Sequence, residues 1–165
     1  MTNLLLNKDA PPLVQGASRQ RSKRPATRQI VVGIAHQKGG VGKSTSAALL
    51  AAEIDWLRPE WQVLVEDLDP DQNLTSRWPG DPAGVQLVPP GTGVGNLRLL
   101  DTGPGNADQL AQILRRCDQV IVPVRLEPMT MQALGLFLPR LRALQVVNGG
   151  KPELTGFLLT HFVRR

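Results

Sequence analysis

The junction of three segments between Gln29 and Leu57 constrains this chain more than any other feature. QIVVGIA at 29–35 is an apolar, β-branched run of strand length, and SAALLAAEIDWL at 46–57 is rich in good helix formers. Between them lies KGGVGKST, Lys38 to Thr45, so a buried strand must pass through a glycine-rich loop into a helix N-terminus. Gly39, Gly40 and Gly42 let backbone N–H groups turn inward free of Cβ clashes, and the helix dipole adds partial positive charge at the same point. Such a loop is an anion site. Its two lysines and its Ser-Thr pair suit phosphate, and an ordinary glycine-rich turn explains neither.

Set against the phosphate-loop pattern G-x-x-x-x-G-K-[ST], the run has no Gly at the required start, and an additional lysine, Lys38, stands at an inner position. That is the deviant form of the Walker A loop. The residues expected to bind ATP are Lys38, Gly39, Gly40, Val41, Gly42, Lys43, Ser44 and Thr45, with Lys43 at the β- and γ-phosphates and the Ser44 hydroxyl on Mg2+.

Two acidic segments follow. WQVLVEDLDP reads as a buried strand, 62–65, that delivers Asp67 and Asp69 to its C-terminal end before Pro70 stops it. LRLLDTGPG ends in Asp101 before a Gly/Pro turn, as a Walker B strand does. An Asp ending a strand is by itself most often a turn residue. With the loop upstream, Asp101 reads as a metal-supporting carboxylate, because ligands of open α/β sheets bind at that end of the strands.

Further strands are expected at 85–88, 97–100, 119–124 and 153–160, and helices at 107–116 and 129–147, with Pro139 expected to kink or divide the second. Strands alternating with helices predict an α/β fold with a doubly wound, mostly parallel sheet. One domain is expected, at 29–165, behind a disordered basic tail at 1–28 whose Pro, Ser, Gln and Arg cannot bury enough surface to order.

Charge separates the same two regions. The tail holds Lys8, Arg19, Arg21, Lys23, Arg24 and Arg28 against Asp9, a net of +5, and the whole chain is also +5, so Gln29 onward sums to zero. A basic flexible arm suits nonspecific contact with DNA phosphates; a solubilising extension is the alternative. The tail has no aromatic side chain, which argues against base stacking. Cys117 begins an apolar strand and reads as a small buried hydrophobe. A single cysteine allows no internal disulfide, and no stretch approaches a membrane span, so a cytoplasmic location without membrane attachment is expected. His36, just before Lys38, is expected to pack or hydrogen-bond within the loop.

KGGVGKST, VLVEDLDP with Asn73 and Thr75 close behind, LLDTGPG, CDQVIVPV with Glu127 after it, and ELTGFLLT together resemble the ParA-type partition ATPases of the deviant Walker A group. The resemblance covers most of 29–160. It implies an ATP-hydrolysing switch for DNA segregation that closes as a sandwich homodimer. Lys38 would reach the partner's phosphates, Asp69 would orient the attacking water, and Asp67 and Asp101 would support the metal. It also implies a ParB-type centromere-binding partner and association with the nucleoid. Two departures accompany it. Asp71 stands where the family usually has Gln, and the chain reaches Arg165 without the family's usual C-terminal elements, which reads as a compact or truncated member. These departures support an alternative, a catalytically idle nucleotide-binding regulator. The absence of Tyr and the single Cys argue against the tyrosine kinases and nitrogenase-type iron proteins of the same group.

Overall fold

The computed structural model describes residues 28–78, 80 and 84–161. In chain order the elements are β1 (Ile30–Ile34), α1 (Lys43–Leu57), β2 (Val63–Leu68), a 3-10 turn (Thr75–Arg77), β3 (Val85–Leu87), β4 (Leu97–Thr102), α2 (Ala107–Leu114), β5 (Gln119–Arg125), α3 (Pro128–Val147) and β6 (Glu153–Thr160). All six strands are parallel, in the order β3-β2-β4-β1-β5-β6. The centre of the sheet is covered on both faces, which is why β4 is buried at every position and carries no alternation, whereas edge strand β6 alternates exposed and half-buried positions. From β1 the chain moves to one side through β2 and β3, returns through β4, and then moves to the other side through β5 and β6. Winding reverses at β1, so its C-terminal end is the crevice where sheets of this kind hold ligands.

One core lies beneath α1, where Ala47 and Ala51 let the helix approach Val32, Ile34, Val63, Val65 and Leu99 closely. On the opposite face, Leu110 and Leu114 of α2 and Leu134, Phe137, Leu141 and Leu144 of α3 close over Leu100, Val120, Val122 and Val124. The spacing of the α3 residues is that of a helix with one buried stripe.

Pro139 does not divide α3, which runs unbroken from Pro128 to Val147. Pro139 and Gly135, the residue four positions earlier whose carbonyl loses its donor, are both exposed, on a face open to solvent. The remaining strands and helices expected from the sequence are present within a few residues. Among the described residues, no helix is long and apolar enough to cross a membrane.

Residues 88–96, rich in Gly and Pro, take the place of a helix over the β2 end of the sheet. Gly95 packs so tightly that a Cβ there would lie 2.7 Å from the Gln62 carbonyl oxygen. Arg98 holds this segment by donating to the Thr92 and Gly93 carbonyls, each at 2.9 Å, and Gly91 N–H donates to Glu66 Oε1 at 2.9 Å. Glu66, with no exposed surface, pairs with the buried Arg98, and Arg116 donates to its other oxygen at 3.1 Å. This buried ion pair is absent from the sequence reading, although Glu66 and Arg98 each interrupt an apolar strand run.

Residues 1–27 of the expected tail lie outside the described residues, as do Arg164 and Arg165. Arg28 lies within the described residues. Its guanidinium donates to Asp118 Oδ1 at 2.7 Å, beside the start of β1.

Candidate nucleotide site

The site is built from the ends of β1, β2, β4 and β6. Helix α1 begins at Lys43, inside the loop, so the loop's own lysine is the first helical residue. Gly40 at φ 73° and Gly42 at φ 90° take the left-handed conformation that only glycine adopts cheaply, and Gly42 serves as the N-cap. Thr160, the last residue of β6, donates from Oγ1 to the Val41 carbonyl at 2.8 Å, and its methyl would lie 3.3 Å from any Cβ added to Gly42. The edge strand thus clamps the loop against the sheet. A cavity of about 280 Å3 opens over Gly40, Gly42, Lys43, Ser44, Thr45 and Asp69.

The two lysines have separate surroundings. Lys43 is buried and its Nζ donates back to the Lys38 carbonyl at 3.1 Å. Burial lowers its pKa, against the opposing pull of Asp101 and Asp69. Lys38 points the other way, to the start of α3, where its ammonium pairs with Glu127 and donates to Thr130 Oγ1 at 3.1 Å. The Thr130 hydroxyl, fully buried, donates in turn to Glu127 Oε1 at 3.0 Å. Hydrogen bonds from Lys38 and then Thr130 hold the Glu127 carboxyl below the ordinary carboxylate range.

His36 sets the entry to the loop. Its Nδ1 accepts the Lys38 N–H at 3.0 Å, and the fully buried ring stacks on Phe137 with centroids 6.2 Å apart. Burial, then the charges of Lys43 and Lys38, lower its pKa to about 4. The ring is therefore neutral, with its proton on Nε2. This packing and hydrogen-bonding role is the expected one.

The acidic residues converge from two adjacent strands, with Asp67 and Asp101 paired in register. Asp101 is fully buried, and neither carboxylate oxygen has a hydrogen-bond partner among the described residues. Burial pushes its pKa up to about 6; the nearby Ser44 hydroxyl favours the charged form without completing a well-formed hydrogen bond. A desolvated, unpartnered carboxylate beside the Ser44 hydroxyl offers oxygen donors of the kind that fits a divalent cation.

The other two aspartates are engaged by their own turn. Asp69 accepts from Asp71 N–H at 3.0 Å and from Asn73 Nδ2 at 2.9 Å. Asp67 accepts from Asp69 N–H at 3.1 Å and, through its other oxygen, from Thr75 N–H at 2.7 Å and Thr75 Oγ1 at 2.8 Å. Gly103 lets the β2 and β4 turns meet, since a Cβ there would lie 2.8 Å from Asp69 Oδ1.

All the expected site residues therefore gather at one end of the sheet. From the sequence, no contact at the site is assigned to Thr130, Thr160 or Glu127. Thr160 ends β6 and Glu127 caps α3 just after β5, so the parallel pairing of β1 with β5 and of β5 with β6 brings them beside the loop.

Residues 29–87 match the family model described as an AAA domain. No curated protein matches the chain. Several solved structures share the fold. Cobyrinic acid a,c-diamide synthase from Mycobacterium smegmatis, with bound ADP and magnesium, aligns with TM-score 0.65 and 21% identity over 82% of this chain and 75% of that one. Apo McdA from Cyanothece aligns with TM-score 0.66 and 17% identity over 80% and 72%. A putative plasmid partition protein from Borrelia burgdorferi B31, bound to AMPPNP, aligns with TM-score 0.64 and 19% identity over 84% and 78%. The chain thus has an α/β, P-loop NTPase-like fold, matches the AAA-domain model over 29–87, and is similar in fold to a plasmid partition protein, to McdA and to cobyrinic acid a,c-diamide synthase.

Proposed function

We propose that this chain is an ATP-dependent switch for DNA partition, binding and hydrolysing ATP at the deviant Walker A loop and closing as a sandwich dimer over two nucleotides. One observation carries the reading: Asp101, buried with two unpartnered oxygens, faces Ser44 and Lys43 at the mouth of a glycine loop. Solved relatives of the same fold hold ADP with magnesium and AMPPNP, which supports Mg2+-ATP as the ligand here.

In this reading the inward N–H groups from Gly39 to Thr45, with Lys43, bind the phosphates, and Lys43 exchanges its bond to the Lys38 carbonyl for phosphate oxygens. Ser44 and Asp101 hold Mg2+, and Asp67 supports that position while fixing the turn. Bound Mg2+ neutralises charge on the β- and γ-phosphates. Asp69, held at the turn by Asp71 N–H and Asn73, orients the attacking water. Lys38 leaves Glu127 to stabilise charge on the nucleotide of the partner copy, a cation supplied in trans as an arginine finger is elsewhere. Partners in this reading are a second copy, a ParB-type centromere-binding protein and nonspecific DNA through the basic tail, which places the protein at the nucleoid.

A second reading, a nucleotide-binding regulator without turnover, is favoured by one observation: both Asp69 oxygens already accept hydrogen bonds from their own turn. Phosphate release in the presence of duplex DNA and the cognate partner separates the two. The switch predicts turnover that Asp69→Ala arrests while Mg2+-ATP stays bound; absence of turnover in the unmutated protein under every partner condition establishes the idle regulator.

A further inference from the structure

A second cavity, of about 380 Å3, lies behind the nucleotide site, between α2 and the turns that follow β2 and β4. Its walls are mostly apolar: Leu68, Pro70, Pro104, Leu110 and Ile113. Gln109, Gln112 and Arg116, successive residues of one α2 face and its continuation, supply the polar side chains. Among the described residues, no acidic side chain lines it.

Arg116 is placed there by the buried ion-pair network. Glu66 is one carboxylate facing two guanidiniums, so the network carries a net charge of +1. Arg98 is satisfied, since it also donates to Gln29, Thr92 and Gly93. Arg116 makes one hydrogen bond to Glu66 among the described residues, and its side chain is 45% exposed. Four of its five N–H groups are therefore available in an orientation fixed by a carboxylate that itself has no exposed surface. A tethered guanidinium at the rim of an apolar cavity is an arrangement that binds carboxylate bidentately while hydrocarbon fills the cavity behind it.

We propose that this cavity is a binding site for a small carboxylate with an apolar body, held by Arg116, with Gln109 and Gln112 as neutral hydrogen-bonding partners. The site is separate from the nucleotide loop and stands whether or not the chain hydrolyses ATP. Pro70 and Pro104 form its inner wall, and Pro104 is 3.6 Å from the Cβ position of Gly39, so an occupant meets the back of the turns that carry Asp69 and Asp101.

The full chain titrated with 4-phenylbutyrate and, separately, with its uncharged amide tests the site, followed by the methyl resonances of Leu68, Leu110 and Ile113. Saturable shifts on these methyls are expected, with the acid bound at least about tenfold tighter than the amide, the usual margin for a charge-assisted hydrogen bond. Arg116→Gln should reduce the acid to the affinity of the amide. Because that change also removes a partner of Glu66, Gln112→Glu, on the exposed side of α2, provides a second test that keeps both guanidiniums and places a competing carboxylate one turn before Arg116. It should weaken the acid and spare the amide, and neither variant should change Mg2+-ATP affinity. Equal affinity for acid and amide, indifference to both substitutions, or no saturable shift at these methyls would overturn the proposal.

Discussion

Asp101 illustrates how a single residue is set against the fold for the sake of its site. A carboxyl whose pKa rises from 3.8 to about 6 on folding favours the folded state fully only below its unfolded value, and that contribution is lost as pH rises through about 6. At neutral pH the charged form costs about 3 kcal/mol. Asp101→Asn should therefore raise stability at pH 7 by about 2 kcal/mol, with a smaller gain at pH 4, while Mg2+ ceases to strengthen nucleotide binding. Chemical denaturation at the two pH values checks the sign, and a variant less stable at pH 7 would show that Asp101 is not the strained group. Lys38 gives the complementary case, a cation held away from the loop by an ion pair. Glu127 and Lys38 are both partly exposed, so solvent screens the pair and it can open. Glu127→Gln should leave melting nearly unchanged and raise the rate of any step that needs Lys38 free, read as faster nucleotide-dependent dimerisation in light scattering.

At the scale of elements, the loop is only as ordered as the strand that clamps it. Thr160→Val keeps the methyl beside Gly42 and removes the hydroxyl that bonds the Val41 carbonyl. It should cost about 1 kcal/mol in stability and weaken nucleotide binding severalfold. Thermal melting and a fluorescent ATP analogue measure the two effects, and an unchanged affinity would mean that β6 does not support the loop. This contact also shows where sequence reading stops. KGGVGKST and the two Asp-ended strands were legible because each motif is local: glycines at a turn, a lysine at a helix start, a carboxylate at a strand end. Thr160 is far from Val41 in sequence and comes to it only through the order β1-β5-β6. Glu66 and Arg98 were illegible for a related reason, since each reads as an ordinary charge until the parallel register of β2 and β4 buries both. Pro139 is a case of the opposite kind: a strong local signal did not end the helix, which runs through it with Gly135 and Pro139 on an exposed face.

For the whole molecule, the proposed DNA contact rests on the charge distribution, a neutral stretch from Gln29 onward behind a basic N-terminal segment. Removing residues 1–27 deletes Lys8, Arg19, Arg21, Lys23 and Arg24 with Asp9, and leaves Arg28 on Asp118. Each phosphate contact contributes a slope of about −0.9 to the fall of log affinity with log salt, so the deletion should flatten the dependence by several units and leave ATP affinity unchanged. Equal affinity and slope with and without the segment would assign DNA contact to the domain.

The account rests on two lysines with different tasks, Lys43 within the loop and Lys38 directed out of it. Titration of Lys43→Ala and Lys38→Ala with Mg2+-ATP, followed by light scattering on the same samples, measures that division. The account predicts that Lys43→Ala loses ATP binding, whereas Lys38→Ala binds ATP and stays monomeric. Equal loss of binding in both variants, or a Lys38→Ala protein that still dimerises with ATP, would contradict it.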